Sequence, residues 1–526
     1  MEHPLALWAS YQPGARPNIN FSGLPSKLGA SNAFRDLLPR LLDKLDEQET
    51  AQERNPSIAR FTTCSIDGCT RVGVRDRSCF QCKKHRCALH LAPNFHTCPS
   101  SFELSDEEWE TSINDEVSDL LSRVNVDELV RIGSALNKGR KCTFEKGTHI
   151  GVGATMGCVN YHAWLCFENG ERWLVRIPRM GFSDIPTDLM DYIVLSEYAT
   201  LKFLAQTRVP VPKVFGYGLA SDPANRVGVS YVLMQVLSGR PFQPSETSAE
   251  DKASILRQYA RILVDLAKYP MQRIGSFTMV KDDVTREDKL ALSAIASNSF
   301  IVLDKYGPFK TSLEYITSTI EQHLDLISDG QLHPEAPVEA FLFYHFLRQN
   351  TAALVPDDAA PKNKFYLKHA GDQGNHILLD EDNYIIGIVD WQFARTVPAA
   401  EAFGPSYLTA DPVSLYTSHT CVTDDDRLLA QFIRDQGSPD LASLAEGNEI
   451  MRRFHNGLAG GSSPAEARDL LQGMVACVLG AEVEDFEAWI TTQMEECRSD
   501  PRWAGVQALL AEQELSRKGD ASAEIV

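Results

Sequence analysis

The stretch FYLKHAGDQGNHILLDEDNYIIGIVDWQFA, residues 365–394, combines a short polar loop with two β-rich runs. The runs HILL and YIIGIVDW are joined by DEDN, whose Asp and Asn residues are typical of tight turns, so we predict a hairpin. A His-Ala-Gly-Asp loop that ends at Asp372 leads into this hairpin, and Asp390 lies at its end. The stretch therefore offers two candidate functional carboxylates, one before the hairpin and one after it.

The rest of the chain divides into a β-rich part and a helical part. From about residue 140, the runs VNYHAWLCF, RWLVRIP and SYVLMQVL predict one antiparallel sheet. Between the second and third runs, LMDYIVLSEYATLKFLAQ has the periodicity of a helix. After Gly239 the pattern is mostly helical to the end, apart from the hairpin. A chain of 526 residues is too long for one core and predicts two to four folding units.

Strand alternation identifies a candidate phosphate-binding cation. In RWLVRIPR, Leu174 and Arg176 fall on one face of the strand, so we expect Arg176 to point inward beneath the glycines at 151, 153 and 157. Its predicted partner is Glu197 on the following helix. A strand cation paired with a helix acid positions phosphates in kinases. Taken alone, the glycines are at least as typical of an ordinary turn, and the pair is more typical of a surface ion pair.

Together with VPVPKVFGYG and MQVLSGRPF, these motifs resemble the aminoglycoside phosphotransferase family, particularly its fungal members of unassigned substrate. The resemblance covers roughly residues 130 to 410. It implies an α+β, two-lobed protein-kinase-like fold with an antiparallel β N-lobe at residues 140–237 and a helical C-lobe at residues 238–526. It also implies ATP in the cleft between the lobes and Mg²⁺ at the hairpin.

The resemblance assigns roles to individual residues. Asp390 matches the metal-binding acid, here followed by Trp. Arg176, held by Glu197, occupies a phosphate-binding position where lysine is more usual, and a guanidinium can still neutralise phosphate. MQVL, residues 234–237, matches the linker whose backbone contacts adenine, which makes Gln235 and Val236 candidate cofactor-binding residues.

The catalytic loop, residues 369–376, departs from the family pattern of His-Gly-Asp, four residues, then Asn. His376 takes the position of the metal-binding amide, and Gly371 takes the position of the catalytic base. Asp372 becomes the candidate base if the loop shifts by one residue, and the alternative is an Asx-type turn residue that organises the loop. Two functions remain open: an ATP- and Mg²⁺-dependent phosphotransferase acting on a small-molecule hydroxyl, or a pseudokinase that serves as a nucleotide-binding or scaffold protein.

A second constellation lies in residues 61–100, where six cysteines alternate with two histidines. Zinc takes four N or S ligands in a tetrahedron, so eight ligands predict two zinc sites. A segment of about 35 residues buries little core, so we expect structural zinc to supply most of its folding free energy. The alternative is a set of scattered buried cysteines. The candidate ligands are Cys64, Cys69, Cys79, Cys82, Cys87, His90, His96 and Cys98.

The order of these ligands resembles the AN-one-type zinc finger, although the first cysteine pair is more widely spaced here. The resemblance implies interleaved sites, with Cys64, Cys69, Cys87 and His90 in one and Cys79, Cys82, His96 and Cys98 in the other. It assigns no zinc to His85, which we therefore expect to be a surface residue. It also implies a protein-binding role, with ubiquitin-linked partners as one candidate.

Composition limits the remaining functions and the location. A formal charge of −20 argues against a general nucleic-acid binder, since such binding needs clustered cations. Only the surplus of basic residues between 61 and 98 suggests a nucleic-acid-binding zinc protein, and the surrounding acidity makes this the least favoured of three alternatives. The absence of an 18-residue apolar stretch predicts no membrane span, and MEHPLALWASYQPGARP lacks the features of a signal peptide, so we expect a cytoplasmic or nuclear protein.

Residues 1–60 form a predicted N-terminal extension with one candidate helix, AFRDLLPRLLDKL. Residues 101–139 form a predicted acidic linker and lead-in helix.

Overall fold

The computed structural model describes residues 60–523, except for residues 61, 76–77, 80–81, 83, 92–94, 99–104, 148–158, 180–184, 282–287, 298–305, 356–363, 416–421 and 459–461. The candidate helix in residues 1–60 and the glycines at 151, 153 and 157 lie outside the described residues. Within the described part of the chain, no helix combines the length and apolarity that a membrane crossing requires.

The helices, in chain order, are α1 Asp106–Ser122, α2 Val126–Leu136, α3 Thr187–Leu204, α4 Ala249–Leu266, α5 Ser312–Ser328, α6 Pro337–Gln349, α7 Thr351–Leu354, α8 Ala399–Phe403, α9 Pro412–Leu415, α10 Asp424–Asp435, α11 Pro439–Ala445, α12 Ile450–Asn456, α13 Pro464–Leu479, α14 Phe486–Cys497 and α15 Trp503–Ala523. The strands are β1 Cys142–Glu145, β2 Asn160–Phe167, β3 Arg172–Pro178, β4 Val214–Gly218, β5 Tyr231–Gln235, β6 Arg240–Pro241, β7 Ser276–Lys281, β8 Asp288–Ser293, β9 Phe365–Lys368, β10 Ile377–Leu379, β11 Ile385–Ile388 and β12 Arg395–Pro398.

The predicted antiparallel sheet is confirmed and forms the N-lobe. Among the described residues it has five strands in the order β1-β2-β3-β5-β4, with every neighbouring pair antiparallel. Because side chains alternate along a strand, Trp173, Val175 and Ile177 of β3 enter the core on one side of the sheet. Arg176 projects from the other side, and its neighbours across the sheet are His162 on β2 and Val232 on β5.

The lead-in segment forms two helices that cover the outer face of this sheet. Ser105 and Glu108 form a capping box at the start of α1, and the side chain of Asn125 caps α2. The helical pattern that the sequence shows as continuous is therefore interrupted at residues 123–125, between α1 and α2. Ile113 and Val117 of α1 pack fully buried in the same core as the strands. The predicted acidic linker is therefore largely a helix of the N-lobe.

The predicted hairpin is confirmed as β10 and β11, which pair antiparallel. The carboxylate of Asp380 accepts the backbone N–H groups of Asp382 and Tyr384, which closes the DEDN turn. The indole N–H of buried Trp391 donates to the carbonyl oxygen of Ile388 over 2.9 Å. This bond fixes the chain as it leaves the hairpin, directly after Asp390.

One hairpin was not predicted by the sequence analysis. Strands β7 and β8 pair antiparallel and pack against α3, where the rings of Phe277 and Phe203 stack at 4.5 Å between centroids. The hydroxyl of Tyr192 on α3 donates to the carbonyl oxygen of Ala294 just after β8 over 2.6 Å. The expectation of a mostly helical C-lobe holds, but this second hairpin adds to the one that the sequence predicted, and it supports α3.

The remaining helices enclose two apolar cores below the N-lobe. One contains α4, α10 and the hairpin, and the other is built mainly from α5, α6, α12, α13 and the start of α15. The predicted fold class, a two-lobed kinase-like fold with an antiparallel sheet and a helical lobe, is confirmed.

A buried ion pair joins α1 to the sheet and provides a test of this packing. Glu116 accepts from the Nε atom of Arg179 over 3.1 Å, and the two side chains are 7% and 2% exposed. We expect Glu116→Ala to lower the free energy of unfolding by about 3–5 kcal/mol, because it removes the carboxylate from a buried guanidinium. Urea denaturation measures this change.

The matched control is Asp119→Ala on the same helix, whose pair with Arg123 is largely solvent-exposed. We expect it to cost under about 1 kcal/mol. Equal losses in the two variants would show that α1 is not anchored through Glu116.

Candidate functional site

The guanidinium of Arg176 lies between two carboxylates. It contacts Glu197 from α3 and Asp390 from the end of the hairpin, and its Nη2 atom donates to Oε1 of Gln392 over 3.1 Å. The side chains of Arg176 and Glu197 are buried, whereas that of Asp390 is 39% exposed. The predicted contact between Arg176 and Glu197 is present, and its burial excludes the alternative of a surface ion pair.

The surrounding elements determine these positions. Arg176 is fixed by its register in the middle of the N-lobe sheet, between β2 and β5. Glu197 lies in the middle of α3, which the β7–β8 hairpin supports from the C-lobe. Asp390 follows β11 with φ of +64°, a left-handed conformation that is strained for a residue other than glycine. Strain of this kind is frequent at functional sites and turns the Asp390 side chain toward the Arg176 guanidinium.

Electrostatics keep Asp390 ionised. Burial opposes the charged form, but the charge of the Arg176 guanidinium outweighs it and holds the pKa of Asp390 well below its usual range. Burial raises the pKa of Glu197 to about 7 in spite of the adjacent guanidinium. One guanidinium thus contacts two carboxyl groups, and Asp390 is the one whose ionised form is favoured.

The residues around Asp390 fit a bound cation. Mg²⁺ is commonly held by one or two carboxylates together with phosphate oxygens and water, and the partly exposed Asp390 supplies such a carboxylate. The Nδ1 atom of His376 donates to the carbonyl oxygen of Gly371 over 2.5 Å, which directs Nε2 toward Asp390, 3.5 Å from its Oδ2 atom. A histidine oriented in this way by a backbone carbonyl is arranged as metal ligands usually are.

The catalytic loop holds Asp372 in a different environment. Its Oδ2 atom accepts from Nζ of Lys368 over 2.6 Å, and its Oδ1 atom accepts from the backbone N–H of Tyr407 over 3.1 Å. The side chain is 5% exposed. Both oxygens are therefore engaged within the C-lobe, and a catalytic role for Asp372 stays a prediction.

Two residues of the site were missed by the sequence analysis. Lys368 ends β9, and no pattern in FYLK marks it as the partner of Asp372. His369 accepts the backbone N–H of Gly371 at Nδ1 and donates from Nε2 to the carbonyl oxygen of Val389 over 2.8 Å. His369 thus joins the catalytic loop to the residue before Asp390. Its place at the start of the His-Ala-Gly-Asp motif was the available signal.

The predicted adenine linker leaves the N-lobe at the end of β5. The backbone N–H of Gln235 donates to the carbonyl oxygen of Lys213 over 2.7 Å, so this N–H is not open to adenine. Val236 follows, partly exposed, at the start of the crossing to the C-lobe. Adenine contacts by the carbonyl of Gln235 and by the backbone of Val236 stay predictions.

The eight candidate zinc ligands form two clusters with the membership that the resemblance implies. Cys64, Cys69, Cys87 and His90 form one, Cys79, Cys82, His96 and Cys98 form the other, and within each cluster the ligand atoms lie within 4.8 Å of one another.

The spacing within the clusters suits tetrahedral zinc. Nδ1 of His90 lies 3.3 Å from Sγ of Cys64 and 3.5 Å from Sγ of Cys87, and Nε2 of His96 lies 3.4 Å from Sγ of Cys82. Zinc–ligand bonds in tetrahedral geometry separate S and N by about 3.5 Å. His85 is buried, so the expectation of a surface residue is wrong. Its backbone forms a β-bridge with Ser78 inside the finger.

A family model described as the phosphotransferase enzyme family matches residues 163–446, more than half of the chain. The chain belongs to the phosphotransferase enzyme family. The matched region contains Arg176, Glu197, Asp372 and Asp390, and the predicted resemblance to phosphotransferases is confirmed. The eight finger ligands and helices α12 to α15 lie outside this region. No curated protein matches the sequence.

Three solved structures illustrate the similarity of this family member to known folds. A mutant of aminoglycoside 2'-phosphotransferase-IIIa in its GDP complex is 13% identical, with 72% of this chain and 97% of the other covered and a TM-score of 0.37. Macrolide 2'-phosphotransferase type I is 13% identical, with 70% and 95% covered and a TM-score of 0.34. The Plasmodium vivax ethanolamine kinase is 10% identical, with 67% and 80% covered and a TM-score of 0.36. At such identities the likeness concerns the fold alone.

The metal content of the finger can be measured directly. We expect the purified chain to contain two zinc ions and Cys87→Ser to contain one or none, because the variant removes one of four ligands from the first cluster. Elemental analysis gives the stoichiometry. Cys166→Ser is the matched control, since Cys166 lies on β2 and belongs to neither cluster. Two zinc ions in the Cys87→Ser variant, or none in the unaltered chain, would contradict the assignment.

Proposed function

We propose that this chain binds ATP with Mg²⁺ in the cleft at Asp390 and transfers the terminal phosphoryl group to a hydroxyl of a small molecule. The observation that carries this proposal is the buried Arg176, which contacts both Glu197 and Asp390. Phosphoryl transfer depends mainly on positioning and on neutralising phosphate charge. A fixed cation next to a partly exposed, ionised carboxylate suits both requirements.

The residues of the site divide this work. Glu197 holds Arg176 in one orientation, so that its guanidinium can face the oxygens of a bound phosphate without losing conformational freedom on binding. Asp390, with Nε2 of His376 beside it, would hold the cation. When bound, Mg²⁺ would neutralise the negative charge of the phosphates. His369 bonds the catalytic loop to the carbonyl oxygen of Val389. This bond keeps the loop, where the acceptor would bind, at a fixed position relative to Asp390, where the cation would bind.

The acceptor side requires a base, and Asp372 is the nearest carboxylate in the loop. To serve, Asp372 has to exchange its contacts with Lys368 and Tyr407 for one with the acceptor hydroxyl. A positioned base contributes about 10²–10⁴-fold to such reactions.

A second candidate function is supported by the contacts of Asp372, both of whose oxygens are engaged. The family resemblance also puts Gly371, which has no proton acceptor, at the base position. In this case the chain is a pseudokinase that binds nucleotide or serves as a scaffold.

The finger adds two structural zinc ions and a proposed protein-binding role, with a ubiquitin-linked partner as one candidate. We propose a cytoplasmic or nuclear location, because reduced thiolates are needed to hold zinc and both compartments keep thiols reduced.

Asp390 provides the most direct test of the cation site. We expect Asp390→Asn to weaken Mg²⁺-dependent ATP binding by at least about 100-fold, because it removes the carboxylate that would hold the cation. Calorimetric titration measures the dissociation constant of ATP. Repeating the titration with Mn²⁺, which accepts an imidazole ligand more readily than Mg²⁺ does, reports whether His376 contributes to cation binding. Asp382→Asn, the same substitution in the exposed hairpin turn, should bind as the unaltered chain does. Unchanged binding in Asp390→Asn would contradict the site.

Gly371→Asp distinguishes the two candidate functions. The backbone of Gly371 is not left-handed, and an added Cβ atom would lie 3.0 Å from the side chain of His376, so the variant needs only a small side-chain shift. If the chain is a pseudokinase that lacks only its base, ATP turnover should rise by about 100-fold or more. Gly371→Asn is the matched control, and its ATP turnover should not rise, because an amide cannot act as the base. If the unaltered chain turns over ATP through Asp372, Asp372→Asn should abolish that activity and Gly371→Asp should add little.

A further inference from the structure

The zinc finger packs directly on the helical lobe of the same chain. Val74 and Ala88 of the finger bury Leu509 of α15, and these residues form a small apolar cluster with Leu91 at its edge. At Gly330, just after α5, an added Cβ atom would lie 3.0 Å from the side chain of Leu509 and 3.6 Å from that of Ala88. The end of α5, the finger and α15 therefore meet at one close-packed point.

Charged and polar contacts surround this apolar cluster. The backbone N–H and the Nε atom of Arg75 donate to the carbonyl oxygen and to Oε1 of Gln331, over 2.9 and 2.8 Å. Arg60, just before the finger, donates to both carboxylate oxygens of Asp329, over 2.8 and 3.3 Å. Gln331 also donates to Asp329 over 2.8 Å, which joins the two contacts.

A third contact reaches the C-terminal helix, where Nη2 of Arg71 donates to Oε1 of Glu512 over 2.8 Å. The finger has a surplus of basic residues in a chain whose net charge is −20. The arginines thus meet acidic and amide groups of the lobe, with an apolar centre and a polar rim, as specific protein interfaces do.

The residues that dock are interleaved with ligands of the first cluster. Ala88 lies between Cys87 and His90, and Arg71 follows Cys69. Because so short a segment lacks a core of its own, the positions of these loops depend on the bound metal. Zinc binding should therefore determine whether Leu509 and Asp329 are covered.

We propose that the basic face of the finger, formed by Arg71, Val74, Arg75 and Ala88, is a zinc-dependent docking surface for the helical lobe of its own chain. The finger then acts as a metal-held cover on α15 and the end of α5. Any external protein partner has to use another face of the finger. This inference does not depend on the proposed phosphotransferase activity.

Hydrogen exchange of the full-length, zinc-loaded chain tests the proposal. Glu512→Arg places two cations opposite each other, and we expect amide exchange in residues 503–514 and 325–333 to rise by about tenfold, with two zinc ions retained. The double variant Arg71→Glu with Glu512→Arg restores the opposite charges and should restore protection. Glu495→Arg, at an exposed pair on α14, is the matched control and should leave both segments unchanged.

Removal of zinc by a chelator should raise exchange in the same two segments while α10 stays protected. Unchanged exchange in residues 503–514 after zinc loss would overturn the proposal, and so would a rise that is equally large in α10. Failure of the double variant to restore protection would show that the Arg71–Glu512 contact does not hold the docked state.

Discussion

The organisation of the cleft depends on one buried guanidinium that is shared by two carboxylates. Arg176 comes from the N-lobe sheet, Glu197 from α3 and Asp390 from the hairpin of the C-lobe, so a single cation joins three separate elements. A buried charge without partners is expensive, which forces these elements to meet in one arrangement. The β7–β8 hairpin supports α3 and thereby Glu197, and the left-handed backbone of Asp390 turns its side chain toward Arg176.

Most of the fold was predictable, because regular elements leave periodic patterns. Alternation in RWLVRIP gave the buried face of β3 and the inward direction of Arg176, and helical spacing gave α3 and thereby Glu197. The DEDN turn gave the hairpin and the position of Asp390. The β7–β8 hairpin was missed although Phe277 and Met279, and Leu290 and Leu292, alternate as a strand requires. These short runs lie in a region whose overall periodicity is helical.

Contacts between distant residues were harder to predict. Arg176 and Asp390 are 214 positions apart, and no local pattern reports that they touch. The partner of Asp372 is only four residues away, yet the contact with Lys368 depends on how the loop bends and not on strand or helix periodicity. The two ligand clusters of the finger were expected only by resemblance, and the burial of His85 and the docking of the finger on α15 depend on tertiary packing that spacing alone does not encode.

The central claim is that the shared Arg176 site is a nucleotide site completed by a divalent cation. Calorimetric titration of ATP into the unaltered, zinc-loaded chain, with and without Mg²⁺, tests it most directly. The account predicts binding that strengthens markedly when Mg²⁺ is added, since the ionised carboxylate of Asp390 would hold the cation beside the phosphates. Absence of ATP binding under both conditions would contradict the account and would leave the kinase-like fold as a scaffold for the finger.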